Sequence, residues 1–407
     1  MSKITVGLRW ALMTPLGLAA LCVLSGQAQA VGISSSIGST SFGSAVATYV
    51  VAADGTLRSR DWSGSWLWVN HGFTTNGSVV AAPIGVTNDG RNPFAFVKGS
   101  DGNIWESYGP VANSWANIGT PPGVSVSSSV GATLHKFTWC GSSQGLGWCY
   151  QYNTANNPVA YIVGNDGNLW GWGATPHTVN GSTTWTYQWQ NHGVPNAGVA
   201  IAKAIGALTV YSGYYCEWYY IPFGSCIDFE WRPYTYVIGS DGKVWSRWWN
   251  GSVWQWTNHG SPSGGVAEGV GVTVIGSGTR PFVFVKGNDG NLWSLSWTNS
   301  TWVWYNHGKP GGLSISQGMG ATCANTCGDP FAFVKAADGN MWTMSWQRTY
   351  WKWTNHGTPS GVGIRTAVGA IAINDNNQND FFVGSDGNLW VRYWSGSAWG
   401  WTNMGQP

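Results

Sequence analysis

The sequence predicts an all-β chain built from one repeated four-strand unit. Three observations carry that prediction: an Asp-Gly turn signal that recurs seven times, a composition rich in Gly and Trp, and a scarcity of charge. Of 407 residues only 9% are charged, while 59 are Gly and 31 are Trp. Ordinary proteins carry about 25% charged residues and about 7% Gly. So little charge would also suit a membrane protein or a disordered chain. After residue 30, however, no run of about 20 apolar residues occurs, as a spanning helix requires. Disordered chains lack aromatics and carry high net charge, whereas here aromatics reach 15% and the formal net charge is +2.

The repeat is cleanest in the run Asp289-Gly290-Asn291-Leu292-Trp293, then Trp297, then Trp302-Val303-Trp304-Tyr305-Asn306-His307-Gly308. Its Asp-Gly returns at Asp54, Asp101, Asp166, Asp241, Asp338 and Asp386, with intervals of 47 to 49 residues except for two of 65 and 75. Seven units follow, of which the third and fourth carry insertions. In unit five, residues 269–275 read as a Gly-rich strand and 281–286 as a β-branched and aromatic one. Residues 292–297 and 302–306 read as the third and fourth. Asp-Gly between the second and third strands predicts a tight primed turn. Four strands per unit, a period in the forties and Trp/Gly signatures together predict a seven-bladed β-propeller with four antiparallel strands per blade. Gly-rich first strands suit the crowded position near the axis.

Residues 1–30 read as a secretory signal: Lys3 and Arg9 form a positive start, residues 11–24 an apolar stretch, and Ala28-Gln29-Ala30 a cleavage pattern. Residues 31–407 then form a single propeller domain with no membrane span. Removing Lys3 and Arg9 leaves 17 basic against 17 acidic residues. That balance argues against nucleic acid as a partner, since such binding needs a concentrated basic footprint. Six cysteines remain after Cys22 is removed, in three close pairs: Cys140 with Cys149, Cys216 with Cys226, and Cys323 with Cys327. An even number in an exported chain favours disulfides, and local pairing is the simplest of fifteen connectivities. Zinc is the alternative, but the pairs lack CxxC spacing. All three fall between first and second strands, in units three, four and six. A further insertion, residues 173–184, lengthens the last hairpin of unit three.

Recurrence separates structural tryptophans from the rest. One set ends every unit: Trp68, Trp115, Trp189, Trp256, Trp304, Trp353 and Trp401. A second stands four residues after Asp: Trp105, Trp170, Trp245, Trp293, Trp342 and Trp390, with Arg58 in unit one. Residues needed in every wedge pack blade against blade. A third set is uneven. Trp62 faces Trp66 across a short turn, as do Trp249 and Trp254, Trp297 and Trp302, Trp346 and Trp351, and Trp394 and Trp399. Units two and three offer Gly109 with Asn113 and Ala174 with Tyr187 instead. Paired indoles near a wet edge offer an apolar platform with N–H donors, which suits the C–H faces and hydroxyls of sugars. These ten tryptophans are the candidate carbohydrate-binding residues, and further blade packing is the competing reading.

His71, His192, His259, His307 and His356 recur at one place, with Ile118 and Met404 as stand-ins, so they read as half-buried strand ends and not as catalytic or metal ligands. No metal site and no cofactor is expected. Residues 374–380, rich in Asn and Asp, lack the EF-hand pattern and read as a polar loop. No recurring carboxylate pair supports glycoside hydrolysis, so the chain reads as a binding protein and not an enzyme. A secreted propeller hydrolase, or a protein-binding or adhesion propeller, stays open.

The run Ser240-Asp241-Gly242-Lys243-Val244-Trp245 to Trp256-Thr257-Asn258-His259-Gly260, repeated through the chain, resembles the PLL-type bacterial β-propeller lectins. That resemblance implies a seven-bladed, secreted, multivalent protein whose partners are glycans or glycoconjugates of fucose type, held in aromatic pockets between blades. Three cysteine-bearing insertions and two expanded units depart from the pattern. A homo-oligomer stays open.

Overall fold

Strands follow one another as antiparallel meanders through almost the whole described chain. The computed structural model describes residues 31–407 except 43, 110–113, 145–147, 180–181, 216–227, 277, 299, 326 and 374–376. Side chains are described outside 137–155, 175–185 and 212–230. The expected leader, residues 1–30, lies outside the described residues, as do Cys216, Cys226 and the side chains of Cys140 and Cys149. No helix among the described residues is long and apolar enough to cross a membrane.

Unit five is representative. Its strands are Val266–Ile275, Arg280–Gly287, Leu292–Thr298 and Thr301–Gly308, paired in that order. Units one, two, six and seven form separate four-stranded sheets in the same way. Units three and four differ, because the described parts of their insertions extend strands. Val126–Gln144 pairs with Trp148–Gly164, Leu169–Val179 with Ser182–Gly193, and Ile201–Tyr215 with Asp228–Gly239. The extensions of the two units then pair with each other at Lys136–Trp231, Phe137–Glu230 and Thr138–Phe229. That ladder fuses both units into one eight-stranded sheet.

The first strands of successive units pack side by side, and the first strand of unit seven packs against that of unit one. This ring of meanders is a β-propeller. Glycine in the first strands follows from the crowding. A Cβ on Gly85 would lie 2.5 Å from the backbone nitrogen of Ala132, and one on Gly271 would lie 2.6 Å from that of Ala321. Ser36 Oγ donates to the Ala367 carbonyl (2.7 Å) across the closure.

The Asp-Gly turns are three-residue loops and not the primed two-residue turns expected. In unit five Gly290 N–H donates to Gly287 O (3.0 Å) and Gly287 N–H to Asn291 O (3.0 Å). Only the glycine has positive φ, 78° at Gly290. This is a type I turn followed by a left-handed glycine. Aspartate is wanted for its carboxylate. Asp289 accepts from the Asn291 backbone N–H (3.0 Å) and from Trp293 Nε1–H (3.2 Å). In unit one Arg58 replaces that indole and reaches Asp54 at 3.0 Å.

Apolar side chains gather between consecutive units, and each buried cluster draws on two neighbours. One aromatic of the second strand is fully buried in every unit: Tyr49, Phe96, Tyr161, Tyr236, Phe284, Phe333 and Phe381. Such rings bury roughly 150–250 Å² each. The unit-ending tryptophans belong to these seams, as their recurrence implied. Trp304 Nε1–H donates to the His259 carbonyl of unit four (2.9 Å), and Trp353 to that of His307 (2.9 Å). Trp68 reaches Met404 O (3.1 Å), linking the first unit to the last.

Candidate functional site

The five tryptophan pairs are directly opposed across their hairpins. Their ring centroids lie 5.4 to 5.7 Å apart, tilted or edge-on. The two members of a pair do different things. The second packs into the seam with the preceding unit. Trp254, Trp302, Trp351 and Trp399 lie 4.3 to 4.6 Å, centroid to centroid, from His192, His259, His307 and His356. Trp66 meets Phe381 instead (6.0 Å), since unit seven has Met404 at the histidine position. Among the described residues the first members, Trp62, Trp249, Trp297, Trp346 and Trp394, make no such stack on a histidine, although Trp62 also packs against the cluster between units seven and one; Trp297 is 38% exposed.

The histidines are buried more deeply than strand ends require; all but His307 are at most 8% exposed. Burial holds His192, His259 and His356 down at about 3, and His71 and His307 at about 4. They are therefore neutral at pH 7. Nε2 of His71, His259, His307 and His356 meets Ser59, Ser246, Ser294 and Thr343 at 2.7 to 2.8 Å. Gly171 leaves room beside His192. Where the histidine is absent the hydroxyl is absent too: Glu106 accompanies Ile118, and Val391 accompanies Met404. This co-variation within the repeat was readable in the sequence, and reasoning on single positions missed it.

Units six and seven open between them a cleft of about 760 Å³. Trp346 lines it from unit six, and Trp394 and Trp399 from unit seven. Three of the ten candidate tryptophans thus converge on one space, contributed by two neighbouring pairs. The polar lining includes Thr343, Ser345, Gln347, Lys352 and Gln378. Arg348, at the tip of the unit-six hairpin, lines it as well. None of these polar residues was singled out from sequence. The disulfide Cys323–Cys327 borders the cleft: Ala324 and Asn325, inside its loop, are lining residues. Asn325 Nδ2–H donates to Asp329, another lining residue.

Beneath this seam the chain buries charge. Asp380 belongs to the strand Asn377–Gly384, so the polar loop expected over 374–380 is a strand from residue 377; residues 374–376 lie outside the described residues. Its carboxylate is fully buried and has no hydrogen-bond partner among the described residues. Burial pushes its pKa well above the carboxylate range. Arg392, opposite it across the strand pair, stacks on Trp401 at 4.6 Å and donates from Nε to His356 Nδ1 (3.4 Å).

The seam between units two and three is built differently. Tyr187 stands opposite Ala174 and donates its hydroxyl to Asn157 Oδ1 (3.2 Å). Burial pushes Glu106 up to about 7 there. Asn113 lies outside the described residues. Among the described residues no group of three or more His, Cys, Asp or Glu side chains is placed to hold a metal.

No family model and no curated protein matches the sequence. Solved structures do. The chain is similar to BP39L lectin from Burkholderia pseudomallei, with 17% identity and a TM-score of 0.52 over 91% of this chain and 98% of that one. It is also similar to a fucose-specific lectin from Aleuria aurantia, with 15% identity and a TM-score of 0.51 over 93% and 99%. A further Aleuria aurantia structure, described as a six-bladed β-propeller, has 14% identity and a TM-score of 0.49 over 93% and 99%. At these identities the likeness establishes the fold: the chain is an all-β propeller of the kind that solved lectin structures share.

Proposed function

We propose that this protein is a carbohydrate-binding, lectin-like propeller of seven four-stranded blades, holding glycans in clefts between consecutive blades. The observation that carries the reading is the cleft between units six and seven, where three indoles from two units meet hydroxyl, amide and cationic groups. Its volume is in the range of small-molecule sites, about 300–1,000 Å³. Indole faces suit the C–H faces of a sugar, and the polar rim suits its hydroxyls. Two neighbours with TM-scores above 0.5 are described as lectins, one of them fucose-specific, which makes fucose-type or related glycans the first candidates. Seven blades are supported by the closed ring of first strands, the eight-stranded sheet being two blades joined by their extensions.

Export after cleavage near Ala30 belongs to the same proposal. So does multivalency, because the outer tryptophan recurs in five units. Simultaneous engagement raises avidity by roughly 10² to 10⁴ where geometry allows.

A glycan array spanning neutral and acidic saccharides tests the reading with the full chain. Saturable binding is expected, and Trp394→Ala should weaken it with a smaller drop in melting temperature than Trp399→Ala, since Trp394 packs on Trp399 but not on a buried histidine. Trp399→Ala is the poorer probe because it also opens the seam at His356. Silence across the whole array would sink the proposal.

A further inference from the structure

Unit six holds an arginine where units four and seven hold glycine. Four residues separate the paired tryptophans in units four to seven; unit five has Asn299 at the second loop position, outside the described residues, and the hairpins of units four, six and seven are described throughout. In each, the first loop residue donates its N–H to the carbonyl of the last: Asn250 to Val253 (3.2 Å), Gln347 to Tyr350 (2.9 Å) and Ser395 to Ala398 (2.9 Å). The second loop residue has positive φ in all three, 102° at Gly251, 95° at Gly396 and 66° at Arg348. Two-residue hairpin turns with positive φ at this place favour Gly, because a Cβ crowds the following carbonyl. A side chain kept at such a position works against the fold, and strained residues of this kind cluster at functional sites.

The arginine is kept beside the cleft, and Arg348 is one of its lining residues. Lys352, on the fourth strand of the same hairpin, lines it too. Neither has an acidic partner among the described residues. The acid in the lining, Asp329, is itself buried and accepts from Asn325. The cleft therefore presents a guanidinium and an ammonium with no compensating exposed carboxylate, next to indoles suited to a sugar ring. A guanidinium fork matches carboxylate and sulfate oxygens in two parallel hydrogen bonds.

We infer that the cleft between units six and seven takes an anionic saccharide, its acidic group held by Arg348 and Lys352 while the ring lies against the indoles. This rests on the saccharide-binding reading and narrows it for one seam. A uronic acid and a sulfated sugar offer the same chemistry, and separate ligands tell them apart.

The experiment is calorimetry on the full chain with galactose, galacturonic acid and galactose 6-sulfate, repeated for Arg348→Gly and Lys352→Gln. At least one acidic sugar should bind tenfold or more tighter than galactose, with affinity falling as salt rises. Arg348→Gly should remove most of that preference, roughly tenfold for a lost charged hydrogen bond. The same variant should melt no lower than the parent, and higher if the backbone was strained. Equal affinity for galactose and both acids, or an acid preference that survives Arg348→Gly, overturns the inference and leaves saccharide binding standing. Failure of every sugar here, together with silence on the array, removes the underlying reading instead.

Discussion

Asp380 shows how far one residue can depart from its own repeat. Six residues before the turn Asp, the other units carry Thr48, Ala95, Ala160, Thr235, Val283 and Ala332. All are small or aliphatic because the position faces a packed seam. Asp380 buries both carboxylate oxygens there with no hydrogen-bond partner among the described residues, a situation that costs on the order of 1–3 kcal/mol. Its pKa is raised by folding, so the penalty is absent at pH values below the unfolded value near 4 and grows as pH rises above it. Asp380→Thr, copying units one and four, should therefore stabilise the protein at pH 7.5 and do so less at pH 4.5. Urea midpoints at the two pH values measure the difference. An equal or larger gain at the lower pH would contradict the assignment.

Two devices hold the four-strand elements, and each recurs in six of the seven units. Within an element, the turn carboxylate ties the hairpin to the indole four residues on. Between elements, the terminal indole N–H of units one to six reaches a carbonyl of the preceding unit. That acceptor is backbone, which is why Ile118 and Met404 can replace histidine without breaking the chain of contacts. Trp304→Phe should keep most of the buried area and lose one hydrogen bond, costing about 1–2 kcal/mol. Denaturant unfolding checks the size, and hydrogen exchange should locate faster opening at the seam between units four and five. Unchanged exchange at that seam would deny the bond its role.

The whole molecule closes without sharing a strand. Unit one and unit seven each use consecutive strands, so closure rests on side-chain and terminal contacts such as Trp68 to Met404 O and Val31 N–H to Pro407 O (2.8 Å). Five seams each bury one neutral histidine, and their titration adds up. The histidines sit at about 3 to 4 when folded and near 6.5 when unfolded. As pH falls below 6.5 the unfolded chain takes up protons that the folded one refuses, so stability drops by about 1.4 kcal/mol per pH unit for each histidine. Glu106 and Asp61, pushed up by burial to about 7 and about 6, act with the opposite sign over the same window, as Asp380 does. The histidines outnumber them. The melting temperature should fall between pH 6.5 and 4.5, and a rise over that interval would refute the ledger.

The repeat, its four strands and the structural role of two tryptophan sets were legible in the sequence, because a residue required in every wedge must recur in every unit. Pairwise opposition of the remaining tryptophans was legible too, since strand alternation dictates it. The sequence alone did not reveal which member of each pair enters a seam, because facing a neighbouring unit is decided by packing between elements. The extended and fused sheets of units three and four were hidden for the same reason: inserted residues read as loops until another strand pairs with them. The cleft, and the place of Arg348 beside it, arose only when two consecutive units in separate sheets met side by side. Local chemistry determined the repeating element, and its juxtaposition with a non-identical neighbour decided where this protein offers a site.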